Sequence, residues 1–392
     1  MAVRERPESR KKPRIQTATA LRAVVVMGLV RVGSLNGLDQ SRRERGWGSL
    51  IGGKLPSPRT NGRVMEALDC QGLRHALRAL YTRRKRNKSL PGFFGGRIAL
   101  ILDGHECAAS FLRSCPDCLR RTVRAAKGER IQYYHRLVAA TLLCGSERML
   151  LDCQMQRPAE DEVACAISLL ERVLSDYPRA FDVVVADGLY LRSDFFNFVT
   201  GHGKEVIAVL KDERRDLMKD ARGLFDGAPH VIFQRGRAEC RCWDIEGFNS
   251  WDGLDKAVRV VRSLERSTVR RQLDGRQEEN SSEWIWATSI AKGRLPTEGV
   301  VRFGHGRWAI ENEGGFNELV NVWHADHVYK HALNAILAFW LVAMLAFNLF
   351  HAFLNRNLKP IRRAAHTAKY WADRIAADFY QAIGLVRCLA PP

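Results

Sequence analysis

Two short runs decide how this chain folds: Arg97-Ile-Ala-Leu-Ile-Leu-Asp103-Gly104 and Phe181-Asp-Val-Val-Val-Ala-Asp187-Gly188. Each is apolar over the length of a strand and lacks the alternation of a half-buried one, which predicts a strand covered on both faces. Each stops at an aspartate followed by glycine. Taken singly, an Asp-Gly pair reads as a turn more readily than as a site. Two of them at the ends of buried strands stand where α/β sheets place ligands, in the crevice outside the carboxyl edge. Residues 137–143, 148–151 and 206–210 predict further strands, and 160–174 predicts a helix leading into Tyr177-Pro178. Strands alternating with helices argue for an α/β sheet.

The texture differs on either side. In 229–290, Val231-Ile-Phe, Cys240-Arg-Cys-Trp, residues 257–261 and Trp284-Ile-Trp-Ala-Thr-Ser suggest a β-rich insertion of antiparallel strands, interrupted by a polar loop at 272–282. Helical texture resumes near Gly306. Residues 335–347 are apolar throughout, and the run reaches Leu354 with only Asn348 and His351 inside it. Its uninterrupted part falls short of the ~20 residues a membrane span needs, so a buried core helix is expected and no membrane partner. Before Pro91, residues 15–32 carry helical spacing, Ser34 can cap a second helix, and a Gly/Pro-rich connector fills 46–58. Thr60 or Asn61 is placed to start another helix, which 63–80 continues into Arg83-Arg84-Lys85-Arg86-Asn87-Lys88. No period of 20–50 residues recurs, which argues against a repeat architecture.

Of the 392 residues 46% are hydrophobic and 27% charged, which excludes a mostly disordered chain. The formal charge of +19 is unevenly placed: residues 1–96 hold 21 Lys and Arg against 6 Asp and Glu, +15 of the total. A basic front end of short helices suits a polyanion such as DNA, with Arg83, Arg84, Lys85, Arg86 and Lys88 as candidate phosphate contacts; the plainer account is a packing domain with a solvated basic face. The ten cysteines are sparse and often embedded in apolar runs, so a disulfide framework is not expected and a reducing cytoplasm is. No secretory leader is read in residues 1–16. His105, Cys107, Cys115 and Cys118 are candidate zinc ligands, with Cys115-Pro-Asp-Cys118 as a C-x2-C pair and His135 as an alternative fourth ligand. Because the second pair is irregularly spaced, two reduced cysteines without a special role are the leading account. Trp243, Trp251, Trp284 and Trp286 alternate with basic residues as base-stacking surfaces do, though Trp284 and Trp286 share one face of a strand, which a packed core explains more simply.

Arg307-Trp-Ala-Ile-Glu311 and the residues to Leu319 read as one helix with Trp308, Phe316, Leu319, Val320 and Trp323 on its apolar face. Four residues apart, Arg307 can orient the Glu311 carboxylate. Asp103, Asp187 and Glu311, with Arg307 four before the glutamate, resemble the DDE triad of cut-and-paste bacterial insertion-sequence transposases, in the branch with a β-rich insertion before the glutamate. ILDGHE, QYYHR, YPRAFDVVVADGLY, VLKDERRDL, RWAIENEGGFNEL and AFNLFHAFLNRNLKP resemble that group in order, with weaker similarity back to GSLNGL and PSPRTNGRV. The sequence departs from the family at Gly304 and Glu318, where better-known members carry a tyrosine and a lysine. Lys330, Lys211, Arg214 or Arg215 could supply phosphate charge instead.

The resemblance implies an α/β ribonuclease H-like catalytic domain over 92–360 with its insertion at about 229–290. A small all-α basic DNA-binding domain over 1–91 would precede it and a helical tail over 361–392 would follow. It implies two Mg²⁺ or Mn²⁺ ions, with Asp103 bridging them and Asp187 and Glu311 completing one shell each. The expected activity is metal-dependent cleavage at terminal inverted repeats followed by strand transfer, by a homodimer on double-stranded DNA in a bacterial cytoplasm, associated with the nucleoid. An inactive relic that only binds DNA, and a metal-dependent nuclease of the same fold, are the alternatives.

Overall fold

The computed structural model describes residues 14–44, 46–125, 128–145, 147–211, 215–270, 277–311 and 315–382. Five helices come first: α1 (Thr17–Leu29), α2 (Leu35–Gln40), α3 (Trp47–Ile51), α4 (Pro58–Ala67) and α5 (Gln71–Arg86). Ser34 caps α2 as expected, its hydroxyl accepting from the Gly37 amide at 2.9 Å. Three expectations fail here. The connector contains α3, and α4 starts at Pro58 under a Ser57 cap, where proline's missing amide costs nothing. The helix expected over 63–80 is two helices, broken at residues 68–70.

The strands β1 (Ala99–Ser110), β2 (Leu119–Ala125), β3 (Gly128–Cys144) and β4 (Glu147–Met155) follow, then α6 (Glu162–Asp176), β5 (Val183–Ala186), α7 (Ser193–Gly201), β6 (Glu205–Val209) and α8 (Asp216–Phe225). β3 pairs with β1, with β4 over its second half and with β2 over its first. β1 is parallel to β5 and β5 to β6, so the order β4-β3-β1-β5-β6 builds a mixed sheet that fits the ribonuclease H-like expectation. The residues between α8 and the next helix supply β7 (His230–Arg235), β8 (Ala238–Phe248), β9 (Val258–Arg270) and β10 (Gln277–Thr288). These antiparallel strands extend the same sheet, because β10 pairs with β6. Residues 277–282, expected in a polar loop, belong to β10; 271–276 lie outside the described residues.

After β10 come α9 (Thr297–Gly306), a 3-10 turn (Arg307–Ala309), α10 (Phe316–Asn321), α11 (Leu333–Asn357), α12 (Pro360–Ala364) and α13 (Ala368–Ala382). The helix expected over 307–319 is therefore interrupted; residues 312–314 lie outside the described residues. α6, α7 and α8 cover one face of the sheet. The other carries α9 and α11, and α11 packs in turn on α1, α4 and α5 within one continuous hydrophobic cluster. By length and composition α11 could cross a membrane, yet 78% of its most apolar window is buried inside the fold. Asn348, the polar break in its sequence, is fully buried and spends its amide on the backbone of Leu150 in β4, accepting from the amide at 3.0 Å and donating to the carbonyl at 2.7 Å.

Candidate active site

The parallel ladder between β1 and β5 pairs Ile101 with Val185. Two residues further along each strand are Asp103 and Asp187, so the register alone sets them side by side, about one strand spacing apart. The alternation that turns Ile101 and Val185 toward the α11 side of the sheet turns both aspartates the same way. Contrary to the sequence expectation, Asp103 does not end its strand, because β1 continues to Ser110 in pairing with β3. Asp187 does end β5 and caps the following 3-10 turn, accepting from the Leu189 amide at 2.8 Å.

Arg307 completes the group. It is 5% exposed, and its Nη1 lies 2.6 Å from Oε1 of Glu311 and 3.4 Å from Oδ2 of Asp103, with the guanidinium over the Trp308 ring. A single buried cation thus spans two of the three acids. Burial pushes the Asp103 carboxyl up to about 7; Arg307 opposes the rise, while Glu311, Asp187 and Glu162 add to it. The centre carries more negative charge than its own arginine offsets, and its donors are hard carboxylate oxygens. It therefore fits divalent cations of the Mg²⁺ or Mn²⁺ type.

Glu162 was not foreseen. It opens α6 on the opposite face of the sheet, is buried, accepts from the Tyr190 hydroxyl at 3.0 Å and pairs with Arg136 at 2.6 Å. It lies directly behind Gly104, where a Cβ would come within 2.4 Å of its Oε2. The Asp-Gly pair is thus not a turn: the glycine keeps one face of β1 thin enough for a carboxylate behind the site. The only sequence signal was the Asp161 cap, accepting from the Ala164 amide, which marks where α6 begins.

The other expected residues separate. Arg83, Arg86 and Lys88 are exposed at the end of α5. Lys85 is exposed too and donates to the Arg179 carbonyl at 2.8 Å. Arg84 corrects the expectation, being 5% exposed, paired with Glu147 and bonded to the Ser89 carbonyl, so it holds the helix to the sheet and offers nothing to phosphate. The exposed Lys211 runs its side chain past Gly188, next to Asp187. Arg215 precedes α8, half-buried, and Arg214 lies outside the described residues. Lys330 pairs with Glu66 at 3.3 Å.

Gly304 faces Trp286, whose Nε1 a Cβ would meet at 2.3 Å, so the indole fills the space a larger residue would need. Glu318 accepts from Trp323 at 3.1 Å and faces His351 at 2.8 Å, bound into the body by α11. Trp284 and Trp286 stack on each other, Trp251 packs on Phe196 and Trp243 lies under Arg262, an arrangement of packing. The four zinc candidates are not brought together. His105 stacks on Phe316 and beside Trp340, and Cys107, the extra residue of a bulge in β1, turns its thiol to the His135 carbonyl. Cys115 and Cys118 instead meet His135 and His331.

A family model described as the transposase DDE domain matches residues 100–349, a span that contains both aspartates, Arg307 and Glu311. No curated protein matches the chain.

Proposed function

Because the chain belongs to the transposase DDE domain family, whose model spans well over half of it, we propose that it is the transposase of a bacterial insertion sequence of the cut-and-paste type. In this reading it binds the terminal inverted repeats of its element, cuts there and joins the freed ends to a target. The observation that carries the proposal is the acidic centre, in which Asp103 and Asp187 are neighbours by register and Arg307 ties Glu311 to Asp103.

Asp103, Asp187 and Glu311 would hold Mg²⁺ or Mn²⁺. Two such ions bound there would supply activation of the attacking water or 3′-hydroxyl and stabilisation of the leaving oxygen during in-line displacement. Arg307 positions Glu311, and Lys211 offers a cation to a phosphate beside Asp187. The helical front of residues 1–91 contributes DNA contacts through Arg83, Arg86 and Lys88, while 92–360 carry the catalytic unit and 361–392 the tail. Two element ends must be held at once, so we propose a homodimer on double-stranded DNA, working in the cytoplasm at the nucleoid. A second reading, end binding without cleavage, is favoured by Gly304 and Glu318, which replace the family's tyrosine and lysine with a space filled by Trp286 and an acid held by His351.

The test incubates the full chain with DNA carrying the sequences that flank its own gene, with and without Mg²⁺. Metal-dependent nicking at the ends is expected, and Asp103→Asn should lower it by about a thousandfold, some 4 kcal/mol of barrier, while end binding persists. Binding without nicking by the unaltered chain would establish the second reading. Nicking without joining of the freed end would leave a nuclease, and full cleavage by Asp103→Asn would remove that residue from the centre.

A further inference from the structure

The cluster of Cys115, Cys118, His135 and His331 lies outside the acidic centre and shares no residue with it. The Cys115 and Cys118 sulfurs are 3.5 Å apart, each lies 3.4 Å from Nε2 of His135, and the Cys118 sulfur lies 3.4 Å from Nε2 of His331. All four donor atoms fall within 4.8 Å of one another. With Zn–S of about 2.3 Å and Zn–N of about 2.0–2.1 Å, a tetrahedral site has donor-to-donor edges of about 3.4–3.8 Å. Four of the six donor pairs already stand near those separations, and the other two fall within 4.8 Å. Ordinary packing has no reason to converge two thiols and two imidazole nitrogens on one point, and four donors close it without an open position, as structural zinc sites are built.

We propose that these four residues bind one structural zinc ion. Two thiolates and two neutral imidazoles are soft and borderline donors, suited to zinc and unsuited to the hard ions expected at the carboxylates. Their sources explain what the ion would do. Cys115 and Cys118 lie in the turn between β1 and β2, His135 is on β3, and His331 stands two residues before α11. The bond set therefore ties the base of the β2–β3 hairpin to the start of the central helix. That hairpin is an exposed arm bearing Arg120, Arg121 and Arg124, and the segment it is tied to follows Glu311. One ion would fix both the arm and the anchor of the segment that leads from the catalytic glutamate. Nδ1 of His135 is buried with no partner among the described residues, so packing in β3, rather than the usual outer hydrogen bond, orients that ring.

The experiment measures metal by elemental analysis on the full chain purified under reducing conditions from zinc-supplemented medium. About one zinc per chain should survive dialysis, and exchange for Co²⁺ should give the visible bands and sulfur-to-cobalt charge transfer of a tetrahedral thiolate site. Cys118→Ser and His331→Ala should lose the ion, whereas Asp103→Asn should keep it, which separates this site from the carboxylates. Chelation of the unaltered chain should speed tryptic cutting within the arm at Arg120, Arg121 and Arg124, a readout that needs no variant to fold. Less than about a tenth of an equivalent of zinc in the unaltered chain, full zinc in a Cys115→Ser/Cys118→Ser chain, or a Cys115–Cys118 disulfide in the fresh protein would each overturn the proposal.

Discussion

Gly104 shows how much of this site is decided by single residues. Its backbone needs no special dihedral; what it supplies is room for Glu162, whose Oε2 would lie 2.4 Å from an added Cβ. Because Tyr190 and Arg136 hold that carboxylate, it cannot swing aside cheaply. Gly104→Ala should cost about 1–3 kcal/mol in urea denaturation and weaken cleavage by displacing Asp103. Combined with Glu162→Ala, the penalties should fall short of their sum by about 0.5–3 kcal/mol; strict additivity would dismiss the steric account. Asp103, Asp187, Arg307 and Glu311 could be singled out because apolar runs closing on Asp-Gly and a four-residue spacing are local signals, even though β1 runs on past Asp103. Glu162 was not, since it reaches the site through the sheet from its other face. His331 was illegible for the same reason: 213 positions separate it from Cys118, and only the fold makes them neighbours.

At the scale of the element, α11 organises the molecule through two asparagines. Asn334 donates to the carbonyls of Glu66 and Leu68, both at 2.9 Å, where α4 stops, and Asn348 serves both backbone groups of Leu150. Asn348→Leu would add apolar surface to an apolar helix, yet it should destabilise the chain by about 1–3 kcal/mol, because the Leu150 amide and carbonyl would stay buried without partners. A denaturation midpoint equal to or above that of the parent would refute this. These bonds also explain where pattern reading stopped. The periodicity of 63–80 runs on through a break that Asn334 caps from across the core, so no local residue announces it. β2 gives no alternation to read because, of Leu119 to Arg124, only Leu119 is buried. Asn348 looked like an interruption of the apolar run, although it is the residue that fixes that helix to the sheet.

For the whole molecule, composition counted charges that the fold has already committed. Within the basic front, Arg74 is buried against Asp152, Arg84 against Glu147, and Arg78 pairs with Asp176, so part of the +15 is matched by acids from the body. Those pairs help join the front helices to the sheet and α6, and they leave Arg83, Arg86 and Lys88 as the exposed remainder at the end of α5. Phosphate contacts release counterions in proportion to their number, whereas internal pairs release none. Replacing Arg83, Arg86 and Lys88 together by glutamine should therefore weaken DNA binding about equally for all sequences and flatten the log–log salt dependence by about two to three. Arg84→Gln should leave that slope unchanged and instead lower folding stability by about 2–3 kcal/mol, through the acceptors it abandons. Binding titrations at several salt concentrations, set beside urea denaturation, decide the matter. If Arg84→Gln flattened the slope while the triple variant did not, the basic end of α5 would face the protein and not DNA, and the polyanion would have to lie against another surface.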